Sequence, residues 1–491
     1  MAHWIRTGST SNSSARSFSL RDSALRIASV FLLILAARTG AHGLAVDTHT
    51  KSSAKPCTPV EVNFDDSTDV LGFDNFKSAI AQLLKEEKFE ELDCLADSFR
   101  SSKARQSGGG WKLHTVYSGL DDPRVGHATD EDWRDHLGRL QRWVDAHPKS
   151  ITARIALAKS YSGYAWFARG HDYSDGVSNS GWKLFGQHLA KDKEILNQAS
   201  ALETKCPEWY VEMMEVAQGE GWDLEQETAL LQKAIAFEPS YYYYYRMHAN
   251  YLLPKWHGEA GDVARFAEES ANRVGGNDGD IVYAVIAESI ICACDEPEFR
   301  RISWPRIKKG YTEQEKQYGV SLTNLNLLAL MASKAQDSET ADSAFKRIGD
   351  NWQKEAWITE AYFNQTKTWA EQFAAIDAQF RTIKEAADSN MHTPQGPQYK
   401  KDFDQKFAAI LRPCVQNAGA DREKFEFMVQ VDKDGGAQNV WMPRQTAVSI
   451  CLFQALMISH QKKETPLPPP PHPEYWLDLD LDPATLVVAS K

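Results

Sequence analysis

Apolar residues recur along most of this chain at intervals of three and four, the spacing that places them on one face of an α-helix. Phe76, Ile80, Leu83 and Leu84 form one such stripe, and Leu92, Leu95, Ala96 and Phe99 form the next, joined by a short polar link at residues 85–88. An SGGG break at 107–110 follows. Trp133, Leu137, Leu140 and Val144 then run to His147-Pro148, and Ile151, Ile155 and Ala158 start a partner helix. Proline suits such junctions because it is tolerated in the first turn of a helix but not in its interior. Leu230, Leu231, Ala234 and Ile235 lead in the same way into Pro239, followed by five consecutive tyrosines that open another helix. A further pair comprises Leu325, Leu328, Ala329 and Ala332, then Ala341, Ala344, Phe345 and Ile348, with helical spacing continuing to about residue 388.

Pro148, Pro207 and Pro239 each separate two apolar helices at intervals of 59 and 32 residues. The second interval is close to the ~34 residues of a tetratricopeptide repeat, while the first makes the period irregular. The pattern predicts a mainly α fold over residues 71–390, an α-solenoid of helical hairpins in which stacked repeats bury a continuous core.

After Pro394 and Pro397 the period changes to two. Phe425, Phe427, Val429 and Val431 alternate with Glu426, Met428, Gln430 and Asp432, which predicts a half-buried strand. Asp434-Gly435-Gly436 supplies a turn, residues 437–442 a return strand, and 446–459 an apolar helix. A proline-rich stretch at 466–473 leads into YWLDLDLD, where Leu477, Leu479 and Leu481 share one face. Residues 398–485 therefore form a small α+β domain.

Composition narrows the function classes. The 491 residues carry a net charge of -12, and no Lys/Arg cluster of the kind that tracks nucleic acid occurs, so nucleic acid is excluded as a partner. Arg16, Arg21 and Arg26 precede an apolar run at 27–37, 11 residues long. That is well short of the ~20 that span a bilayer. With the small residues Ala41, Gly43 and Ala45 it reads as a signal peptide over 1–43, followed by a flexible linker at 44–70. The expected mature chain is exported to the periplasm or secreted, and has no membrane span. Seven cysteines follow the expected cleavage point, an odd number that leaves at least one thiol outside an intramolecular bridge. Cys414 and Cys451 both fall on helices that must pack against the small C-terminal sheet, and are predicted to form a disulfide.

The strings at 108–114 (GGGWKLH), 151–158 (ITARIALA), 164–170 (YAWFARG), 205–210 (KCPEWY) and 238–256 (EPSYYYYYRMHANYLLPKW) resemble the bacterial family called domain of unknown function 4034 over roughly residues 73–293. That resemblance implies tetratricopeptide-like or Sel1-like helical repeats and carries no functional residues with it. The tail, from FEFMVQVDKDGGAQNVWM through PPPPHPEYWLDLDL, resembles the C-terminal domain of TonB-like proteins. Without the transmembrane helix and long proline-rich spacer of an energy transducer, this likeness implies peptide pairing at an exposed strand edge.

Candidate chemistry is sparse. Zinc-protease, phosphate-loop and nucleophile-elbow motifs do not occur. Cys292 and Cys294 are one close pair, short of four tetrahedral ligands, and Asp478, Asp480 and Asp482 read as a solvated strand face rather than a calcium site. No metal, cofactor or catalytic residue is assigned. The candidate partner-binding set is Tyr241, Tyr244, Tyr245, Arg246, His248, Trp256 and His257, because adjacent helical residues point in different directions and some of this aromatic cluster must line a surface. The expectation is a non-catalytic protein that binds a protein or peptide. The alternative is a carbohydrate-active or glycan-binding helical toroid, in which aromatic rings stack on sugars and two carboxylates, with Glu259 and Asp262 nearest in sequence, do acid-base work.

Overall fold

The computed structural model describes residues 65–170, 174–292, 296–416, 425–442, 447–464 and 467–481. The expected signal peptide, residues 44–64 of the expected linker, Cys57, Cys294 and Asp482 lie outside them. The described residues are mainly helical, with one small antiparallel sheet near the C-terminus. The chain divides into two compact units. One comprises residues 78–103 and 116–222, and the other residues 63–77, 104–115 and 223–491. The single repeat domain expected over 71–390 is thus split, because two short N-terminal segments pack with helices far downstream of them.

In the first unit the hairpin of helices Asp130–Ala146 and Ile151–Arg169 turns at His147-Pro148. Thr129 and Asp132 form a capping box at the first helix, and Ser150 accepts from the Ala153 amide at the second. Both caps satisfy backbone donors that a helix start leaves without internal partners. Asp93, on helix Phe89–Ser102, ties the turn down by accepting from Trp143 Nε1 at 3.3 Å, His147 Nδ1 at 2.5 Å and Ser150 Oγ. Helices Asn179–Ser200 and Glu208–Glu220 complete the packing on Ile151–Arg169.

That packing buries charge. Lys159 Nζ lies 3.3 Å from Glu212 and 3.6 Å from Glu208, and the carboxyls of Glu208, Glu212 and Asp192 are all shielded from solvent. Burial works against the Lys159 charge, but Glu212 and Glu208 outweigh it and hold its pKa above the usual range. Neither Asp192 oxygen meets a hydrogen-bond donor. Burial and the Glu212 charge push Asp192 well up, and burial pushes Glu212 to about 7.

In the second unit, helix Leu224–Phe237 is capped by Asp223 and turns at Pro239 into helix Tyr243–Tyr251. Helices Asp262–Val274, Gly276–Cys292, Trp304–Tyr318, Leu322–Lys334 and Ser338–Ile348 follow. Leu325, Ala329, Ala341, Phe345, Trp357 and Phe363 form one core cluster of this unit. Residues 65–70, expected as the end of a linker, are anchored instead. Asp66 is fully buried, accepting from Ser321 Oγ at 2.7 Å and the Thr323 amide at 2.9 Å, where its charge complements the N-terminus of helix Leu322–Lys334.

The long helix Glu360–Met391 and helix Gly396–Gln416 lead to strands β1 (Phe425–Val431), β2 (Ala437–Trp441) and β3 (Tyr475–Leu481), in spatial order β2-β1-β3. Helix Ala447–Gln461 connects β2 to β3. One face of the sheet packs Phe427, Val429, Tyr475 and Leu477 against Phe403, Phe407, Leu411 and Leu452. Cys414 and Cys451 are joined by a disulfide, with Cα atoms 5.5 Å apart. The opposite face, expected to be solvated, is partly covered. The helix Glu360–Met391 lies across it, Met428 is fully buried, and Lys384 pairs with Glu426 at 2.5 Å. Burial, with Glu426 beside it, consequently pushes Asp478 up to about 6.

Candidate functional site

The second unit holds a cleft of about 280 Å³ whose construction begins with the SGGGW segment. Gly108 and Gly109 have φ of 73° and 86°, a region open to glycine and costly for other residues. A Cβ at Gly108 would meet the Ser321 side chain at 2.6 Å, and one at Gly109 would meet the Tyr318 ring at 2.6 Å. The loop can approach helices Trp304–Tyr318 and Leu322–Lys334 only because both side chains are missing. The Gly108 carbonyl then accepts from Gln314 Nε2 at 2.6 Å and Asn324 Nδ2 at 3.2 Å.

The loop carries Arg105 and Trp111 onto the tyrosine turn. Arg105 donates to the carbonyls of Gly109 (2.9 Å) and Ser240 (2.8 Å), and Trp111 Nε1 donates to Ser240 at 3.0 Å. The Arg105 guanidinium sits 4.3 Å from the Trp111 ring centroid and 5.5 Å from that of Tyr242, within cation-π range. Tyr243 accepts from the Trp111 amide at 3.2 Å and stacks on His114 at 3.6 Å. Burial and the neighbouring Tyr318 hydroxyl raise the Tyr242 pKa.

Across the cleft, helix Gly276–Cys292 presents Glu288, which is buried and accepts from Tyr311 Oη at 3.0 Å. Arg246 Nη1 lies 3.6 Å from it, with the Arg246 side chain 39% exposed. Burial raises the Glu288 pKa, while Arg246 and Tyr311 oppose that shift. The site thus offers the partly exposed Tyr243 ring, with Trp111 and Tyr242 buried behind it, a part-exposed Arg246 side chain and the buried Glu288 carboxyl, with the exposed Glu355 also on its wall.

Of the residues expected to bind a partner, this arrangement brings Arg246 to the cleft wall and sends most others elsewhere. Tyr241, Tyr244, Tyr245 and His248 are buried, a correction to their expected role as surface contacts. Their spacing explains it: 241, 244, 245 and 248 repeat at three and four, so they are the core stripe of the hairpin. Tyr241 packs edge-on against Trp111 at 4.9 Å, and Tyr245 lies 6.3 Å from Phe266. His248 Nδ1 pairs with Glu227 and its ring meets Phe266 at 4.4 Å. Trp256 and His257 are exposed beyond the end of helix Tyr243–Tyr251, His257 stacking on Tyr251 at 4.4 Å, and neither lines the cleft.

The cleft residues missed from sequence are Tyr242, Tyr243, Arg105, Trp111 and Glu288. Tyr242 and Tyr243 stand four and three positions before Arg246, the complementary stripe of the same turn, and that phase was the available signal. Among the described residues no group of three or more His, Cys, Asp or Glu side chains could hold a metal ion, and Cys206 is the one free cysteine, buried beside Tyr117 at 3.4 Å. Compared with known proteins, the chain matches no family model and shows no significant match to a curated protein or a solved structure.

Proposed function

We propose that this is an exported helical-repeat protein, non-catalytic, that binds a peptide segment of a protein partner in the cleft bordered by Trp111, Tyr242, Tyr243 and Arg246. The observation that carries this reading is the accessible pair Tyr243 and Arg246 on the cleft wall, backed by the buried Trp111 and Tyr242, since aromatic rings and arginine are the side chains that dominate binding energy at protein interfaces. Its volume of about 280 Å³ accommodates a few side chains. The Cys414–Cys451 disulfide and the disulfide-bonded Cys94 support export, since such bonds persist in oxidising compartments. The resemblance of the tail to TonB-like modules supports a second peptide contact at a strand edge of the sheet.

The test is selection of a random-peptide phage library on the immobilised mature protein. Enriched peptides should share a motif and lose at least tenfold in affinity on Arg246→Ala or Tyr243→Ala. Absence of enrichment, or binding indifferent to both changes, overturns the reading.

One observation favours a glycan in the same cleft. Two carboxyl-bearing residues, Glu288 and Glu355, border it beside aromatic rings, the side-chain classes that glycan-cleaving sites use. Hydrolysis of a polysaccharide panel that stops in Glu288→Gln would select this second reading.

A further inference from the structure

Helix Glu360–Met391 carries a second periodicity that the core uses only at its ends and that the cleft does not use. Thr366, Trp369, Phe373, Ile376, Phe380, Ile383 and Ala387 alternate at steps of three and four, which is the heptad spacing of a coiled-coil seam. Its two ends are covered, Thr366 and Ala387 being buried. Between them the seam is open: Phe373 is 46% and Ile376 43% exposed, and Trp369, Phe380 and Ile383 are partly exposed. The flank on the other side of the helix is already engaged, with Asp377 accepting from Ser338, Arg381 paired with Glu339, and Lys384 paired with Glu426. The apolar stripe lies beside that covered face; Trp369 packs partly on the core cluster of Leu325 and Phe363, and the stripe is most open at Phe373 and Ile376.

We propose that this stripe is the contact between two copies of the chain, laid antiparallel as a short two-helix coiled coil. Two observations select a second copy over a different helix. Charged flanking positions are what choose among partners in coiled coils, and here the free flank is Gln365, Gln372 and Gln379, all exposed and seven residues apart. An amide both donates and accepts, so this flank is complementary to itself, as an interface between identical surfaces requires. The charges along 365–386 also cancel, Lys367, Arg381 and Lys384 against Glu371, Asp377 and Glu385. In a chain of net charge -12 this stretch is one where two copies do not repel.

The antiparallel sense follows from side-chain volume. It sets Phe373 against Ile383 of the second copy and Ile376 against Phe380, so that every layer pairs one ring with one aliphatic side chain. A parallel pair would stack phenylalanine on phenylalanine and isoleucine on isoleucine in alternate layers of unequal size. Phe373 and Ile376, each somewhat over two-fifths exposed, together with the partly exposed Phe380, Ile383 and Trp369, supply on the order of 300 Å² per copy, well under half the ~800 Å² of a standard interface. The dimer is therefore weak enough to dissociate on dilution.

Sedimentation equilibrium of the mature protein from about 1 to 200 μM should show a monomer–dimer equilibrium in that range. The double variant Phe373→Gln, Ile376→Gln should weaken it at least tenfold with an unchanged melting temperature, since both positions are exposed. Under mild oxidation Gln379→Cys, at the midpoint of the antiparallel pair, should form a covalent dimer. Lys367→Cys lies about 18 Å along the axis from that point and should not. A monomer at every concentration, a dimer that survives the double variant, or cross-linking at 367 instead of 379 overturns the proposal.

Discussion

Glu212 shares a solvent-free space with Asp192, Glu208 and Lys159, and Asp121 and Glu215 contribute to its field. One cation cannot neutralise three buried carboxylates, so the site retains a proton that the unfolded chain releases. With its pKa raised from 4.5 to about 7, Glu212 binds more proton in the folded than in the unfolded state between those two values. Stability from this residue is therefore present at low pH and lost as pH rises through that window, and the linkage is worth on the order of 3 kcal/mol. Chemical denaturation of the native chain and of Glu212→Gln at pH 5 and pH 8 should show a smaller loss in the variant. Equal losses would mean that Glu212 holds no extra proton in the folded chain. The tyrosine run teaches a related lesson about phase. Of five identical side chains, 241, 242, 244 and 245 are buried and only Tyr243 is partly exposed, while 242 and 243 border the cleft, a division set by the helix starting at Tyr243 rather than at the first tyrosine.

Hairpins and strands were legible because each is specified by residues close in sequence. Trp133, Leu137 and Leu140 are buried on one face of helix Asp130–Ala146, and Phe427, Val429 and Val431 on one face of β1. What periodicity could not show was the second cover on the sheet, because nothing in β1 encodes a helix arriving from residues 360–391. The cleft was illegible for the same reason. Its walls come from 105–111, 242–246, 285–288, 314–327 and 353–356, and only the tyrosine turn has a local signature. The element most open to test is the C-terminal sheet with its disulfide. Cys414 and Cys451 close a loop of sequence separation 37, for which chain entropy gives about 4 kcal/mol. Cys451→Ser should lower the stability of the oxidised protein by an amount of that order, and non-reducing peptide mapping should find the 414–451 link in the native chain. No change in a melt of the variant would show that the bridge contributes nothing to folding.

At the scale of the molecule, the second unit is not a contiguous stretch of chain. A fragment spanning residues 223–491 retains most of its helices but lacks Asp66, Arg105, Gly108 and Trp111. It leaves the N-terminus of helix Leu322–Lys334 without its carboxylate and Tyr241 without the indole it packs against. Such a fragment should melt below the corresponding transition of the full chain, and adding a 63–115 fragment in trans should recover part of the difference. A fragment as stable as the parent would mean that the N-terminal segments decorate this unit rather than build it.

The glycine-rich loop also has a consequence in time. Arg105 reaches Ser240 across 135 positions, Gln314 reaches Gly108 across 206, and Ser321 reaches Asp66 across 255. At ~5–20 residues per second of synthesis, the loop waits many seconds for the helices that receive it. During that interval Trp111 lacks the Ser240 carbonyl and the Tyr241 ring that hold it in the folded chain, so the loop settles only after those helices exist.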